Sequence, residues 1–256
     1  MSDESNVQLT LVTHYGKKSE SLSNLIVMLQ DKLSGTLGFA FKPYDIEQVH
    51  GTIIGLEGVN SDEGVINQWF LENLEERRTV DPKKLIQFIQ SDNIEAIEIK
   101  IGGWASHTNY NFYSNKQHPF MRSFTIQGEI AVAMGWPFEN DQYFEKLYEL
   151  RKRFEAINIL HKWNKNDYKD NDFFFVLGRV SKKQANPLVL QRLANEIRII
   201  LSGVDERIII SRDTMSLVAY VDAQLPQNTS RAFSLRDPKL TSGLIDRLYN
   251  QSIQVI

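Results

Sequence analysis

The chain has 256 residues, of which 42% are hydrophobic and 24% charged, with a formal net charge of -3; this is the composition of a globular protein with enough apolar material for one large core or two modest lobes. No global basic field exists to hold long nucleic acids through many phosphate contacts, which leaves ligands carrying one or a few phosphates. The absence of cysteine removes disulfides, thiolate nucleophiles and cysteine-ligated metal sites, and a reducing cytoplasm is the expected location; with no metal-ligand spacing among the histidines, no Walker phosphate loop and no dinucleotide glycine fingerprint, neither a metal nor a cofactor is expected.

Met1 to Val7 has neither the basic start nor the apolar stretch of a secretory signal, and no run approaches the roughly 18 apolar residues of a membrane span. Residues 1–6 are expected to be disordered, residues 7–224 to form one bilobal domain, and residues 225–256 to be a C-terminal extension. Val7 to Thr13 alternates as a strand, and Ser21 to Leu33 carries Leu22, Leu25, Ile26, Leu29 and Leu33 at helical spacing. After the Pro43-Tyr44-Asp45 turn, Val49 to Leu56 reads as a strand ended by Gly58-Val59-Asn60. Gly64 to Leu74 predicts a helix, followed by the charged face Glu75 to Arg78 and by a second helix, Pro82 to Gln90, opened by proline.

Ile94 to Ile101 predicts a strand closed by Gly102-Gly103, and Phe124 to Ala133 another, ended by Gly135-Trp136-Pro137. The aromatic and polar stretch between them, Ala105 to Phe120, reads as a hairpin or a loop beside the active site. Asp141 to Leu160 gives the clearest helical pattern, with Tyr143, Leu147, Leu150, Phe154, Ile157 and Leu160 on one face. Strand Phe173 to Leu177, helix Leu188 to Leu201 and strands Ile208–Ile210 and Ser216–Val221 complete the domain. The order indicates α+β or mixed α/β with a largely antiparallel sheet. Each half also contains a helix, a polar Asp-containing loop and a strand that leaves through glycine, Gly55 or Gly178, a coarse internal echo.

His50 and Thr52 are two apart on one strand and therefore share a face, while Gly51 leaves the backbone close to whatever lies opposite. An imidazole can move a proton near neutral pH and a hydroxyl can hold a phosphate oxygen, so the pair suits phosphoryl chemistry. A strand histidine satisfied by a neighbour is the competing reading. Three other histidines, His14, His107 and His118, read as turn or surface residues, and His161 falls too early for the Phe173 strand.

The layout from Val7 to Leu225 resembles the 2H phosphoesterase superfamily, which includes RNA 2',3'-cyclic phosphodiesterases and 2'-5' RNA ligase-like proteins. The resemblance runs through the His50 strand, the strands Ile97–Trp104 and Phe124–Trp136, the Asp141–Leu160 helix, the segment Asp172–Val180 and the strands Ile208–Val221. It implies an α+β, bilobal, pseudo-twofold fold with two mainly antiparallel sheets forming a central groove and helices outside. It also implies two His-x-Thr/Ser pairs facing each other, with the histidines as general base and acid and the hydroxyls on the phosphate. His50 and Thr52 match the first pair, but Phe174 and Val176 occupy the second. A phenyl ring cannot transfer protons, and a positioned acid–base group contributes roughly 10²–10⁴-fold.

The expected function is thus a degenerate 2H-like protein that binds a nucleotide or RNA-end phosphate with lost or weak phosphodiesterase activity. The expected site is His50 as catalytic residue, with Thr52, Phe174, Arg122 and Arg179 binding the ligand. Phe173-Phe174-Phe175 reads either as buried core with only Phe174 turned to the groove, or as presenting Phe174 for base stacking. Two alternatives stay open: a scaffold binding a protein partner through exposed aromatics such as Trp69, Trp104, Tyr110, Phe112 and Tyr113, and an active cyclic phosphodiesterase pairing His50 with a different residue.

Overall fold

In the computed structural model, which describes residues 7–91, 94–164 and 168–251, the chain opens with β1 (Gln8–Thr13) and α1 (Glu20–Leu37). The start expected to be disordered, residues 1–6, lies outside those described. α1 forms where the sequence places Leu22, Leu25, Ile26, Leu29 and Leu33 on one buried face, and the Ser19 hydroxyl caps it by accepting from the Leu22 N–H. A single 3-10 turn leads to β2 (Phe41–Pro43), then β3 (Gly51–Gly55) and the hairpin β4 (Gly58–Ser61) and β5 (Gly64–Asn67). The helix expected over Gly64–Leu74 is therefore half strand: Asn67 caps a short α2 (Gln68–Leu74) through its side chain. Asp81 and Pro82 open α3 (Pro82–Gln90) as the sequence predicts.

β6 (Ile97–Gly102) is followed by a long loop, a single turn α4 (Pro119–Arg122), and a hairpin of β7 (Phe124–Gln127) and β8 (Ile130–Glu139). The Phe124–Ala133 stretch is thus two strands, because Gly128, at φ 57, turns the chain. Gly135 lies inside β8 instead of ending it; a Cβ there would come within 2.6 Å of the Lys100 carbonyl on β6. Asn140 and Asp141, at φ 47 and 59, fold the next residues back as β9 (Gln142–Tyr143). This shortens the expected Asp141–Leu160 helix to α5 (Lys146–Glu155), and Tyr143 stacks on Phe112 at 4.1 Å instead of joining the helix. β10 (Phe173–Val180), α6 (Pro187–Ser202), β11 (Asp205–Ile210) and β12 (Met215–Tyr220) follow.

The segment from Leu225 onward, expected as an extension, adds β13 (Arg231–Ser234) beside β12 and packs α7 (Ser242–Tyr249) into the core through Ile245, Leu248 and Tyr249. The Tyr249 hydroxyl donates to the Leu56 carbonyl at 2.6 Å, just beyond β3.

The architecture is α+β, with the strands in the antiparallel order β11-β6-β8-β10-β3-β1-β12-β13 and only the β4–β5 hairpin apart. The expected pair of sheets facing across a groove is replaced by one hydrogen-bonded path. At its middle, β10 touches β3 through a single register pair, Phe175 opposite Gly51. Alternation sorts the strand residues onto two faces. Leu9, Leu11, Phe173, Phe175, Leu217 and their neighbours pack against α1, α3, α5, α6 and α7 in the main core. The opposite face carries two smaller clusters, one around Trp104, Val132, Met134 and Trp136 and one around Val12, Val218 and Tyr220; of the aromatics expected to be exposed for a partner, Trp69, Trp104 and Phe112 are buried and Tyr113 is exposed. Among the described residues no helix is long and apolar enough to cross a membrane.

Candidate functional site

A groove of about 780 Å³ runs along the face opposite the helices, over the junction of β3 and β10. Gly51 is what lets the junction close: a Cβ on it would sit 2.1 Å from the Phe173 ring. With Phe175 and Gly51 paired and Phe173 and Phe175 buried in the main core, alternation turns Phe174 and Val176 to the groove. His50 and Thr52 flank Gly51 on the other strand and line the same groove. Behind Phe174 and Val176 stand Met134 and Val132 of β8, so this half of the groove is apolar.

The His50 ring lies edge-on to Tyr15, centroids 5.7 Å apart, and its Nδ1 is 2.7 Å from the Gln48 carbonyl. A carbonyl can only accept, so Nδ1 carries the proton in the neutral ring and Nε2 is an acceptor without a partner among the described residues. Burial drives the His50 pKa down to about 4, opposed by the Gln48 bond and assisted by the charge of Lys18. At neutral pH His50 is therefore an uncharged acceptor.

The other expected binding residues also reach the groove, already engaged. Arg122, nearly buried, donates to Asp172 at 2.9 Å and to Ser114 at 3.1 Å. Arg179 pairs with Glu129 at the surface. The loop before α4 contributes Asn115 and Lys116 to the lining, as expected of a loop beside the site. His14, on a positive φ of 56, turns toward Phe175. His118 caps α4 and bonds the Thr108 carbonyl, and His107 is exposed.

Sequence reasoning missed the groove's polar end. His161, set aside as too early in the chain, lines the groove and bonds Asp170 with Nε2 at 2.7 Å. Its pKa is lowered by burial and by Arg151, against the opposing effect of Asp170. Arg151, buried on α5, fills the gap where β3 and β10 part. It donates to the Ile53 and Thr52 carbonyls on one side and to the Asp170 and Asp172 carbonyls on the other. Burial raises the Asp170 pKa, but Arg151 and His161 outweigh it and the net shift is downward. Asp172 in turn accepts from Ser114, Trp136, Arg122 and Tyr168. Helical periodicity marks Arg151 only as an interruption of an apolar face, and nothing in the spacing of Asp170, Asp172 and His161 announces their convergence.

On the β1–β3 side, the Glu57 carboxylate lies over Gly55 and takes one donor on each oxygen: the Tyr220 hydroxyl on Oε1 and the Trp69 Nε1 on Oε2, both at 2.7 Å. Burial and this carboxylate push the Tyr220 hydroxyl far above its ordinary pKa, so it stays a donor.

No family model matches the chain, and no curated protein matches it. Among solved structures, the crystal structure of TT0787 of Thermus thermophilus is similar at 12% identity, over 90% of this chain and 98% of that one, with a TM-score of 0.40. A likeness of that depth transfers neither a fold family nor a function.

Proposed function

We propose that the chain is a degenerate 2H phosphoesterase-like protein whose groove binds a nucleotide or RNA-end phosphate with lost or weak phosphodiesterase activity. The observation that carries the reading is the register at the junction: His50 and Thr52 face the same groove as Phe174 and Val176 across the Gly51–Phe175 pair. On this reading the two halves of the strand path are the pseudo-twofold lobes, one keeping its imidazole and hydroxyl and the other having exchanged them for a phenyl and an isopropyl group. Five cationic side chains line the groove against three carboxylates, which supports an anionic ligand. A neutral His50 with its pKa near 4 is a weak base, and the facing strand supplies no acid, which supports binding without efficient turnover. A cysteine-free chain is in keeping with action in the cytoplasm.

One observation favours the active alternative: a second imidazole, His161, lines the same groove, oriented by Asp170 through Nε2 and with its Nδ1 buried and without a hydrogen-bond partner among the described residues. The test is a phosphorus NMR time course with a 2',3'-cyclic nucleotide and a short RNA ending in a cyclic phosphate. Wild type, His50→Ala and His161→Ala are compared. The expected result is a ligand shift without turnover, lost in His50→Ala. Turnover abolished by both substitutions would replace this reading with a phosphodiesterase using His50 and His161. No shift and no turnover would leave a scaffold for a protein partner.

A further inference from the structure

We infer that Glu57 is a specificity-determining residue that reads a hydrogen-bond donor, a hydroxyl or an amine, on the ligand held in the groove. The inference rests on the phosphate-binding reading above and adds what the rest of that ligand must carry.

The carboxylate is built into the groove rather than dangling at its rim. Gly55 makes room for it, since a Cβ there would lie 2.1 Å from Oε2. Two buried donors from separate elements, Tyr220 on β12 and Trp69 on α2, fix its orientation through one bond to each oxygen. A carboxylate accepts about four hydrogen bonds, so each oxygen keeps acceptor capacity after the protein has taken its share. Thr10, Thr52, Gly55, Glu57 and Tyr220 line one continuous wall of the groove. Across the bulge at Ile53, Thr52 and Gly55 stand opposite Val12 and Thr10, two residues of β1 and roughly 7 Å apart at ordinary strand rise, within the span of a small ligand with a phosphate at one end.

The charge logic along that wall is asymmetric. The groove's other carboxylates are bonded to cations, Asp172 to Arg122 and Asp170 to Arg151, whereas Glu57 is held by the neutral donors Tyr220 and Trp69. A donor on the ligand is attracted to this carboxylate, so a phosphate held beside Thr52 leaves the ligand's hydroxyls or amine to Glu57. Orientation by a preset carboxylate is also selective, because a ligand lacking the donor displaces water from the remaining acceptor sites without replacing its hydrogen bonds.

The experiment is calorimetric titration of wild type and Glu57→Gln with adenosine monophosphate, its 2',3'-dideoxy analogue, purine riboside monophosphate and phenyl phosphate. The analogues remove the ribose hydroxyls or the exocyclic amine one class at a time, and phenyl phosphate removes all donors. In wild type, one of the two analogues is expected to bind roughly ten- to hundredfold more weakly than adenosine monophosphate, and Glu57→Gln to erase that difference while leaving phenyl phosphate unchanged. The wild-type comparison stands whether or not the variant folds. If both analogues bind wild type as well as adenosine monophosphate, or if the discrimination survives in folded Glu57→Gln, Glu57 does not read the ligand and the phosphate reading is untouched. If wild type binds none of the four, phenyl phosphate included, the phosphate reading fails and the inference falls with it.

Discussion

The Phe173 ring occupies the space that a side chain on Gly51 would need, with a virtual Cβ only 2.1 Å from the ring edge. This contact brings the His50 strand against the Phe174 strand. Gly51→Ala is therefore expected to destabilise the protein by about 1–3 kcal/mol, the ordinary range for an overpacked core. Urea denaturation measures it. Gly51→Ala combined with Phe173→Leu should recover part of the loss, because the clash is with the ring itself.

That contact also shows what the sequence could reveal. The alternation of Phe173, Phe174 and Phe175 was legible, as was the turn of Phe174 alone to the groove, because period two on a half-buried strand admits only that arrangement. The faces of α1 and α3 were legible for the same kind of reason. The hairpin at Gly128 and the turn at Asn140-Asp141 were not, since both depend on single residues entering the left-handed region inside apolar runs that read as continuous. The convergence of Arg151, Asp170 and His161 depends on where β3 and β10 separate, which is a property of the assembled sheet and not of any local stretch.

Acidification should destabilise the fold through its half-buried and buried histidines. His50 titrates near 6.5 when unfolded and is held at about 4 when folded, so the unfolded state binds a proton that the native state refuses. The stabilisation is present above pH 6.5 and is lost as pH falls toward 4, by up to roughly 3 kcal/mol for this residue. His14 and His161 are shifted in the same direction and add to the slope. Denaturation midpoints at pH 7.5 and 5 would measure it, and His50→Gln should flatten the dependence; an unchanged slope would assign it to the other two.

Phe174→Ala should weaken nucleotide binding without unfolding the protein, since Phe174 is only partly buried and faces the groove. A lost base stack weakens binding by about 1–3 kcal/mol, roughly five- to hundredfold. Equal affinity for wild type and variant in a calorimetric titration would count against stacking.

The paired replacement Phe174→His with Val176→Thr restores to the second strand the residue types of the first. Cyclic-nucleotide hydrolysis is expected to rise at least about tenfold over wild type, a conservative share of what one acid–base group contributes. No gain in a folded double variant with intact ligand binding would mean that the low basicity of His50, and not the missing partner, limits the chemistry.

Arg151→Met should be costly. It leaves Asp170 in the interior without its guanidinium and frees four carbonyls, two on β3 and two in the segment leading into β10. Removing one partner of a buried pair costs about 3–5 kcal/mol. The double variant with Asp170→Asn should lose less than the two single changes together, because the uncompensated charge is gone; strict additivity would show the ion pair to be incidental.

The single register pair between β3 and β10 makes the long strand path a perforated one, and the perforation runs beneath the groove. On either side the ladders are longer, with six register pairs between β1 and β12 and six, interrupted by one bulge, between β8 and β10. What fixes the angle between the two patches is the size of the Phe173 ring under Gly51 and the reach of Arg151 across the gap. Groove width is thus written in two side chains, and substitutions there can adapt the fold to slimmer or broader ligands while every ladder of backbone hydrogen bonds stays as it is.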